Sequence, residues 1–326
     1  MLRDLVGFKW NIAIAGYGQY WRDCRKAFSH EFHPQVIVRY RPAIIKATHK
    51  FLRDLIEDPE DFRARIKYLT GSQIVHIAYG LDIKDHDDPW IATAERAVSI
   101  AAACMVPGSF LVDLVPMLKH LPEWLPGAGF KAQARKWRLQ VREAVDEPFE
   151  AMKARSDLPP DSAARSILER ISDRSHDLSQ SEEILKGTLA SAYLAGADTT
   201  TSTLETCFLA MARNPEVLRE AQCAVDRVCV GRLPTFADYD ALPWVHALVK
   251  ECLRWAPVVP LNFAHRVTQD DVYEGYHISK GSLILVNNWC EPRVHLDLTQ
   301  YLRTTGHWNT PAGVHSTPLR STPGCT

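Results

Sequence analysis

The stretch Ala190-Ser-Ala-Tyr-Leu-Ala-Gly-Ala-Asp-Thr-Thr-Thr-Ser-Thr-Leu204 decides the fold of this chain. It lies inside a helical pattern that runs from about Glu182 to Arg213. Acidic residues stand near the start of the pattern and a basic residue at its end, which are the signs that a helix dipole favours. At 1.5 Å per residue such a helix is roughly 48 Å long, enough to cross a whole domain. The sequence therefore predicts one long central helix.

The middle of this helix is built from residues that weaken it. The small residues Ala195, Gly196 and Ala197 precede Asp198 and three threonines, and glycine and β-branched residues both have low helix propensity. The Thr199 hydroxyl can bond to the carbonyl four residues earlier, which predicts a bend or a widened turn here. Small side chains serve equally well as the packing seam of a buried helix or as a surface that a large flat group approaches closely.

Composition and charge exclude several classes of function. Of the 326 residues, 46% are hydrophobic and 24% are charged, and the net charge is −1 with no basic block. These values are typical of a soluble globular protein and give no sign of a nucleic-acid partner. The apolar run over residues 97–106 is too short to span a bilayer. The following Phe110-Leu-Val-Asp-Leu-Val115 has the apolar character for peripheral contact with a membrane surface.

The eight cysteines show neither the paired spacing of a metal site nor a dense disulfide framework. Most of them fall inside helical patterns, which predicts free buried thiols and a reducing environment.

The remaining periodicity predicts a mainly helical protein with a small β region near residues 260–286. Helices are predicted over residues 19–32, 34–57, 62–79, 90–106, 130–156, 215–228 and 242–255, with a loop at 7–18 and a polar linker at 157–166. Thr235 and Asp238 form a capping-box pattern. An extended segment at 258–266, a hairpin at 272–281 and a buried strand at 283–286 follow.

Two residues of the first helix form a candidate anion-binding pair. Trp21 and Arg25 stand four apart on one helical face, so an indole donor and a guanidinium can hold one anionic group together. Taken alone, the same pattern also fits an ordinary surface pair.

Two motifs taken together resemble a known family. Ala195-Gly-Ala-Asp-Thr-Thr200 resembles the oxygen-activation motif in the central helix of cytochromes P450, and Lys250-Glu-Cys-Leu-Arg254 resembles the Glu-x-x-Arg signature of that family. Their order and distance, together with the flanking sequence, are similar to fungal, microsomal-type members. The resemblance implies the mainly α P450 fold, a heme cofactor, and insertion of one oxygen atom from O2 into a small organic substrate.

The resemblance also implies roles for individual residues. Asp198 would relay protons and Thr199 would hydrogen-bond the dioxygen. By the same resemblance, the residues for oxygen activation are Ala195, Gly196, Asp198 and Thr199, and those that would hold the heme carboxylates are Trp21, Arg25, His265 and Arg266. The pair that would stabilise the fold is Glu251 and Arg254. The residues that would line the substrate pocket are Leu261, Asn262 and Phe263. Trp21, Arg25 and His265 are therefore expected to converge, although alone His265 reads as an ordinary structural histidine.

The resemblance covers residues 1–289, which we expect to be a P450 domain incomplete at both ends. The family continues into a Phe-x-x-Gly-x-Arg-x-Cys-x-Gly loop whose cysteine thiolate binds the heme iron. Cys290 and Cys325 lack the phenylalanine, glycine and arginine of that loop, so no residue is assigned as a metal ligand. We expect residues 290–326 to be a divergent, disordered tail and the chain as it stands to be enzymatically incompetent.

The resemblance names the partners as O2, the organic substrate and an NADPH-cytochrome P450 reductase. It places the family at the cytoplasmic face of the endoplasmic reticulum membrane, and a chain without the anchor would be cytoplasmic. The alternative is a non-catalytic all-α binding or interaction protein derived from a P450, which would explain the helices and the missing cysteine loop.

Overall fold

The computed structural model describes residues 1–84, 87–106, 108–172 and 178–290. The chain forms two compact units, Met1–Thr201 and Ser202–Thr326. Helices dominate both units and the strands are few and short, so the predicted fold class is confirmed. None of the helices in these ranges is long and apolar enough to cross a membrane.

The first unit is helical. Its elements are a π-helical turn Leu2–Val6, 3-10 turns Phe8–Trp10, Ile37–Tyr40 and Pro116–His120, and helices α1 Gln19–Phe32, α2 Arg41–Glu57, α3 Phe62–Tyr79, α4 Pro89–Met105, α5 Leu111–Leu114, α6 Gly129–Lys153, α7 Ala163–Ser172 and the larger part of α8, Leu178–Arg213. Two predictions fail at their edges. The loop predicted at 7–18 contains the 3-10 turn Phe8–Trp10, and the linker predicted at 157–166 ends where α7 begins, at Ala163.

Helix α8 is the predicted central helix. It is 36 residues long and begins at Leu178, one turn before the predicted start. It is α-helical through residues 195–199, so the predicted widened turn does not form. At 1.5 Å per residue it is about 54 Å long, and its sequence runs through the boundary between the two units.

Two tyrosines lie at the centre of the core of the first unit. Tyr79 on α3 and Tyr193 on α8 are fully buried, and their ring centroids lie 5.8 Å apart in an edge-on arrangement. The Tyr193 hydroxyl donates to the backbone carbonyl of Trp90 on α4. Burial raises the pKa of Tyr193 above its ordinary value, which keeps this donor protonated. Helices α3, α4 and α8 are therefore joined at one buried point.

A buried carboxylate connects α1 to its neighbours. Glu31 near the end of α1 is fully buried. It pairs with Arg39, which precedes α2, and with Arg170 of α7. The Ser166 hydroxyl of α7 donates to the same carboxylate at 3.1 Å. Two guanidinium groups and a hydroxyl thus compensate a charge that would otherwise be costly to bury.

Over residues 202–290, which the structure describes, the second unit contains the rest of α8, two further helices and four short strands. Its elements after α8 are α9 Pro215–Cys229, a 3-10 turn Phe236–Ala241, α10 Pro243–Trp255, β1 His265–Arg266, β2 Asp271–Tyr273, β3 Tyr276–Ile278, β4 Leu283–Ile284 and a 3-10 turn Asn288–Cys290.

The turns between these helices confirm the predicted cap. Thr235 and Asp238 form the predicted capping box. Arg232 donates to both carboxylate oxygens of Asp238 at 2.6 and 2.7 Å, and this contact holds the pKa of Asp238 well below its usual range. Asn214 does not cap α9 with its side chain. Its amide nitrogen donates to the Ala210 carbonyl at 2.8 Å, so it terminates α8 instead.

The strands form two separate antiparallel pairs. The predicted hairpin is present as β2–β3, and β1 pairs with β4 so that His265 lies opposite Ile284 and Arg266 opposite Leu283. The prediction that β4 is buried is wrong. Leu283 is 67% exposed because, in the described part of the chain, β4 has β1 as its single partner and neither face is covered.

The buried Glu31 cluster gives a first test. Replacing Glu31 with alanine leaves two guanidinium groups without their buried counterion, so we expect the free energy of unfolding to fall by about 3–5 kcal/mol. Urea denaturation measures the change. Glu169→Ala is the matched control, because Glu169 forms an exposed pair with Arg165 on α7 and should cost less than about 0.5 kcal/mol. Equal effects of the two substitutions would contradict the role given to Glu31.

Candidate functional site on the central helix

The oxygen-activation motif lies on α8 with one side open. Ala195 and Thr199, one turn apart, are exposed, while Gly196, Ala197 and Asp198 are partly buried. The Thr199 hydroxyl donates to the Ala195 carbonyl at 2.7 Å, which is the predicted bond. This bond commits the hydroxyl proton, so toward a ligand on the open side the Thr199 oxygen acts as a hydrogen-bond acceptor.

The opposite side of the motif is fixed to α3. A Cβ atom added at Gly196 would lie 2.7 Å from Ile74 Cγ1 and 2.9 Å from Ile74 Cδ1. Gly196 is therefore required by the close approach of two helices, and the packing-seam interpretation holds for this residue. Next to it, the Thr70 hydroxyl lies 2.6 Å from the Thr201 hydroxyl and bonds to the Ala197 carbonyl at 3.3 Å. The seam thus combines apolar contact with a buried polar link.

Of the candidate anion-binding pair, Trp21 donates its N–H within the protein, whereas the Arg25 guanidinium is exposed. The Trp21 indole N–H donates to the Ile12 carbonyl at 3.1 Å, so it anchors the segment before α1. The Arg25 guanidinium lies over the Trp21 ring, 5.7 Å from its centroid, and Arg25 is exposed. Stacking on the indole holds the cation in place without using its N–H donors.

The Glu-x-x-Arg pair forms within α10. Arg254 donates through Nε and Nη2 to the two oxygens of Glu251, both at 2.7 Å. Both side chains are largely buried, with 20% and 12% of their surface exposed. A bidentate, partly buried pair has a fixed geometry, which suits the architectural role predicted for it.

The remaining predicted residues lie in the second unit. His265 and Arg266 form β1 and are exposed. Leu261 and Phe263 are exposed, and Asn262 adopts a left-handed conformation with φ of 56° and accepts the Phe263 amide on its side-chain oxygen at 2.7 Å. Because Trp21 and Arg25 belong to the first unit and His265 to the second, their convergence stays a prediction.

The cysteines are of interest because a cysteine thiolate binds the heme iron in the family that the sequence resembles. The six whose side chains are described are free thiols, as predicted: Cys24, Cys104, Cys207, Cys223, Cys229 and Cys252. Within the described ranges there is no group of three or more histidine, cysteine or acidic side chains that could hold a metal ion. The predicted tail, residues 290–326, falls almost wholly outside those ranges, and Cys325 lies there.

Comparison with known proteins decides the family. The cytochrome P450 family model matches residues 6–303. The chain belongs to the cytochrome P450 family. Among curated P450 relatives, the P450 monooxygenase COX2 of Coprinopsis cinerea is 37% identical over 89% of this chain and 56% of its own length. Tryptamine 4-monooxygenase of Psilocybe cyanescens is 38% identical over 89% of this chain and 57% of its own length. The chain thus spans a little over half the length of these relatives.

Solved P450 structures show the same fold. A zebrafish cytochrome P450 structure with abiraterone matches with a TM-score of 0.66 at 20% identity, over 89% of this chain and 65% of that one. A second zebrafish structure, with progesterone, has the same TM-score and covers 94% of this chain. At this identity the match supports the fold alone.

Sequence reasoning missed three partners of the P450 motif residues: Ile74, Thr70 and Ile12. None of them carries a motif, because each acts through its position on a neighbouring segment. A glycine in the middle of a long helix was the available signal for Ile74, since such a residue often marks a close approach. The pairing of Trp21 with a backbone carbonyl left no signal in the sequence.

The α3–α8 seam gives a second test. Gly196→Ala forces Ile74 or the helix to move, so we expect the free energy of unfolding to fall by about 1–3 kcal/mol, measured by urea denaturation. Gly129→Ala, at the open first position of α6, should be neutral or slightly stabilising because alanine has the higher helix propensity. In the Ile74→Ala background, Gly196→Ala should cost much less. Additive effects in the double variant would show that the two residues do not contact each other.

Proposed function

We propose that this chain supplies the oxygen-activating side of a heme-dependent monooxygenase that inserts one oxygen atom from O2 into a small organic substrate. The observation that supports it most is the α8 motif. Ala195 and Thr199 are exposed on one face of the helix, and Gly196 packs against Ile74 of α3. Family membership and the monooxygenase names of the curated relatives support the same reaction class.

The described residues fit a heme on one side. A flat apolar group needs a surface of small side chains, which residues 195–199 provide, and cations for its two carboxylates. Arg25 and Arg266 are exposed, and neither makes an ion pair within the described residues. These two and His265 would hold the carboxylates. Trp21, whose N–H donates to the Ile12 carbonyl, stays a predicted partner of the carboxylates. None of the eight cysteines stands in the family loop motif, so none is proposed as the thiolate ligand.

When bound, heme supplies the redox chemistry that activates O2. The protein contributes placement and protons. Thr199 would accept a hydrogen bond on its oxygen while its own hydroxyl hydrogen is donated to the Ala195 carbonyl. Asp198, the next residue back on α8, provides the carboxyl that relays a proton from solvent. Leu261, Asn262 and Phe263 would line the substrate pocket.

The partners follow from this reaction. Electrons come from NADPH through a P450 reductase.

We also propose peripheral contact with a membrane surface through the segment that follows α4. Leu111, Leu114, Met117 and Trp124 are 67–80% exposed there, and large exposed apolar side chains of this kind suit the acyl boundary of a bilayer. Such contact is in keeping with the endoplasmic reticulum location of the family.

The iron gives a third test. Residues 1–326, expressed as written and reconstituted with heme, should bind it weakly and show no reduced-CO band of the thiolate-ligated kind. Charge-assisted hydrogen bonds to the carboxylates contribute only about 1.5–3 kcal/mol each, and the family cysteine loop is not in this sequence. Absorbance spectroscopy of the reduced carbonyl complex provides the measurement. A stable thiolate-type complex that is lost in Cys290→Ser would contradict this expectation.

Thr199 gives a fourth test, in a chimera that joins residues 1–289 to the cysteine-loop segment of a fungal relative. Thr199→Ala removes the acceptor oxygen, so oxygen consumption should continue while product formation falls, several-fold at least. Thr199→Ser keeps the hydroxyl and serves as the control, with coupling close to that of the parent. The ratio of product to O2 consumed is the measurement. Unchanged coupling in Thr199→Ala would leave Thr199 as a packing residue, and a chimera that forms no product at all would reject the monooxygenase proposal.

A further inference from the structure

Two cysteines of the second unit lie side by side. Cys207 on α8 and Cys252 on α10 belong to one small cluster, packed with Leu248 and Ala221. Cys207 packs against the buried part of this cluster, to which Cys252 belongs. Cys252 is buried, with 3% of its surface exposed, whereas Cys207 is partly exposed. One thiol of the pair can therefore be reached from solvent and the other cannot.

The contact changes the reactivity of both thiols. The hydrogen bond from Cys252 lowers the pKa of Cys207 to about 7, against the opposing effect of burial. The same contact, together with burial and the nearby Glu251 carboxylate, raises the pKa of Cys252. The lowered pKa of Cys207 favours its thiolate, which is the nucleophilic form, and the raised pKa of Cys252 favours the protonated thiol. An accessible thiolate beside a buried thiol is the arrangement that dithiol redox pairs use.

We propose that Cys207 and Cys252 form a redox-responsive pair that closes to a disulfide between two helices and so locks α8 to α10. The oxidant we name by class is a small-molecule disulfide. The Cys207 thiolate attacks one sulfur of that molecule, forms a mixed disulfide and releases one thiolate. Cys252 then attacks the Cys207 sulfur, a second small thiolate leaves, and the proton of Cys252 passes to it. Two cysteines are oxidised by two electrons, and one small disulfide is reduced to two thiols.

The lock would join the two functional helices of the chain. Cys207 lies eight residues after Thr199 on α8, and Cys252 directly follows Glu251 of the Glu-x-x-Arg pair. Closing the bond restrains the C-terminal part of α8 against the helix that carries this pair. The inference concerns thiols that take no part in the proposed oxygen chemistry, so it stands or falls without the heme.

The test uses the purified chain and oxidised glutathione at neutral pH. We expect the mass to fall by two hydrogens and peptide mapping to join residues 207 and 252. The enclosed loop is about 45 residues long, so the thermal midpoint should rise by about 5–10 °C, and dithiothreitol should reverse the rise. Cys252→Ser should instead keep one glutathione on Cys207 with no such rise, and Cys207→Ser should leave Cys252 as a free thiol.

Cys223→Ser is the matched control, because Cys223 is a partly exposed cysteine of α9, and it should form the lock as the parent does. A measurement without any variant guards against misfolding. In the untreated parent, alkylation at neutral pH should reach Cys207 a few-fold faster than Cys223. Two outcomes would overturn the proposal: both Cys207 and Cys252 remaining fully alkylatable after oxidation, or Cys207 joining Cys223 in preference to Cys252.

Discussion

The close approach of α3 and α8 is the contact on which the rest of the first unit depends. Ile74 occupies the space where any side chain at residue 196 would lie. This contact lets the Thr70 and Thr201 hydroxyls meet at 2.6 Å, and it sets the rotation of α8 about its axis. Once that rotation is fixed, Ala195 and Thr199 lie on the open side of the helix. The orientation of the candidate site is therefore a consequence of packing at a residue outside that site.

This arrangement assigns different tasks to neighbouring residues of one motif. Gly196 serves the fold, whereas Thr199 and Ala195 serve the open surface. The same division appears at α1, where Trp21 holds the preceding segment through the Ile12 carbonyl and Arg25 keeps its charge exposed by lying over the indole. A residue that matches a family motif can thus act through the backbone, and its contacts decide which function it serves.

Local rules predicted much of this fold from the sequence. Helix α3 spans the predicted residues 62–79, because Gly80 adopts the left-handed conformation that ends it, with φ of 68°. The capping box at Thr235 and the Thr199–Ala195 bond also follow from spacing alone. The failures concern distant partners. A widened turn was expected at the small residues of α8, but packing against Ile74 supports the regular helix there, and the exposure of β4 depends on how many strands pair with it. The approach of Cys207 to Cys252 likewise depends on the packing of two helices and leaves no mark in either local sequence.

Helix α8 continues as a regular helix through its weak middle because α3 supports it. Hydrogen–deuterium exchange with mass spectrometry measures this directly, since every amide in a continuous α-helix is bonded to a carbonyl four residues earlier. We expect amides 195–204 to exchange about as slowly as amides 190–194. We also expect Gly196→Ala to accelerate exchange at amides 195–204. Exchange at 195–201 as fast as in the irregular segment 121–128 of the parent protein would contradict it.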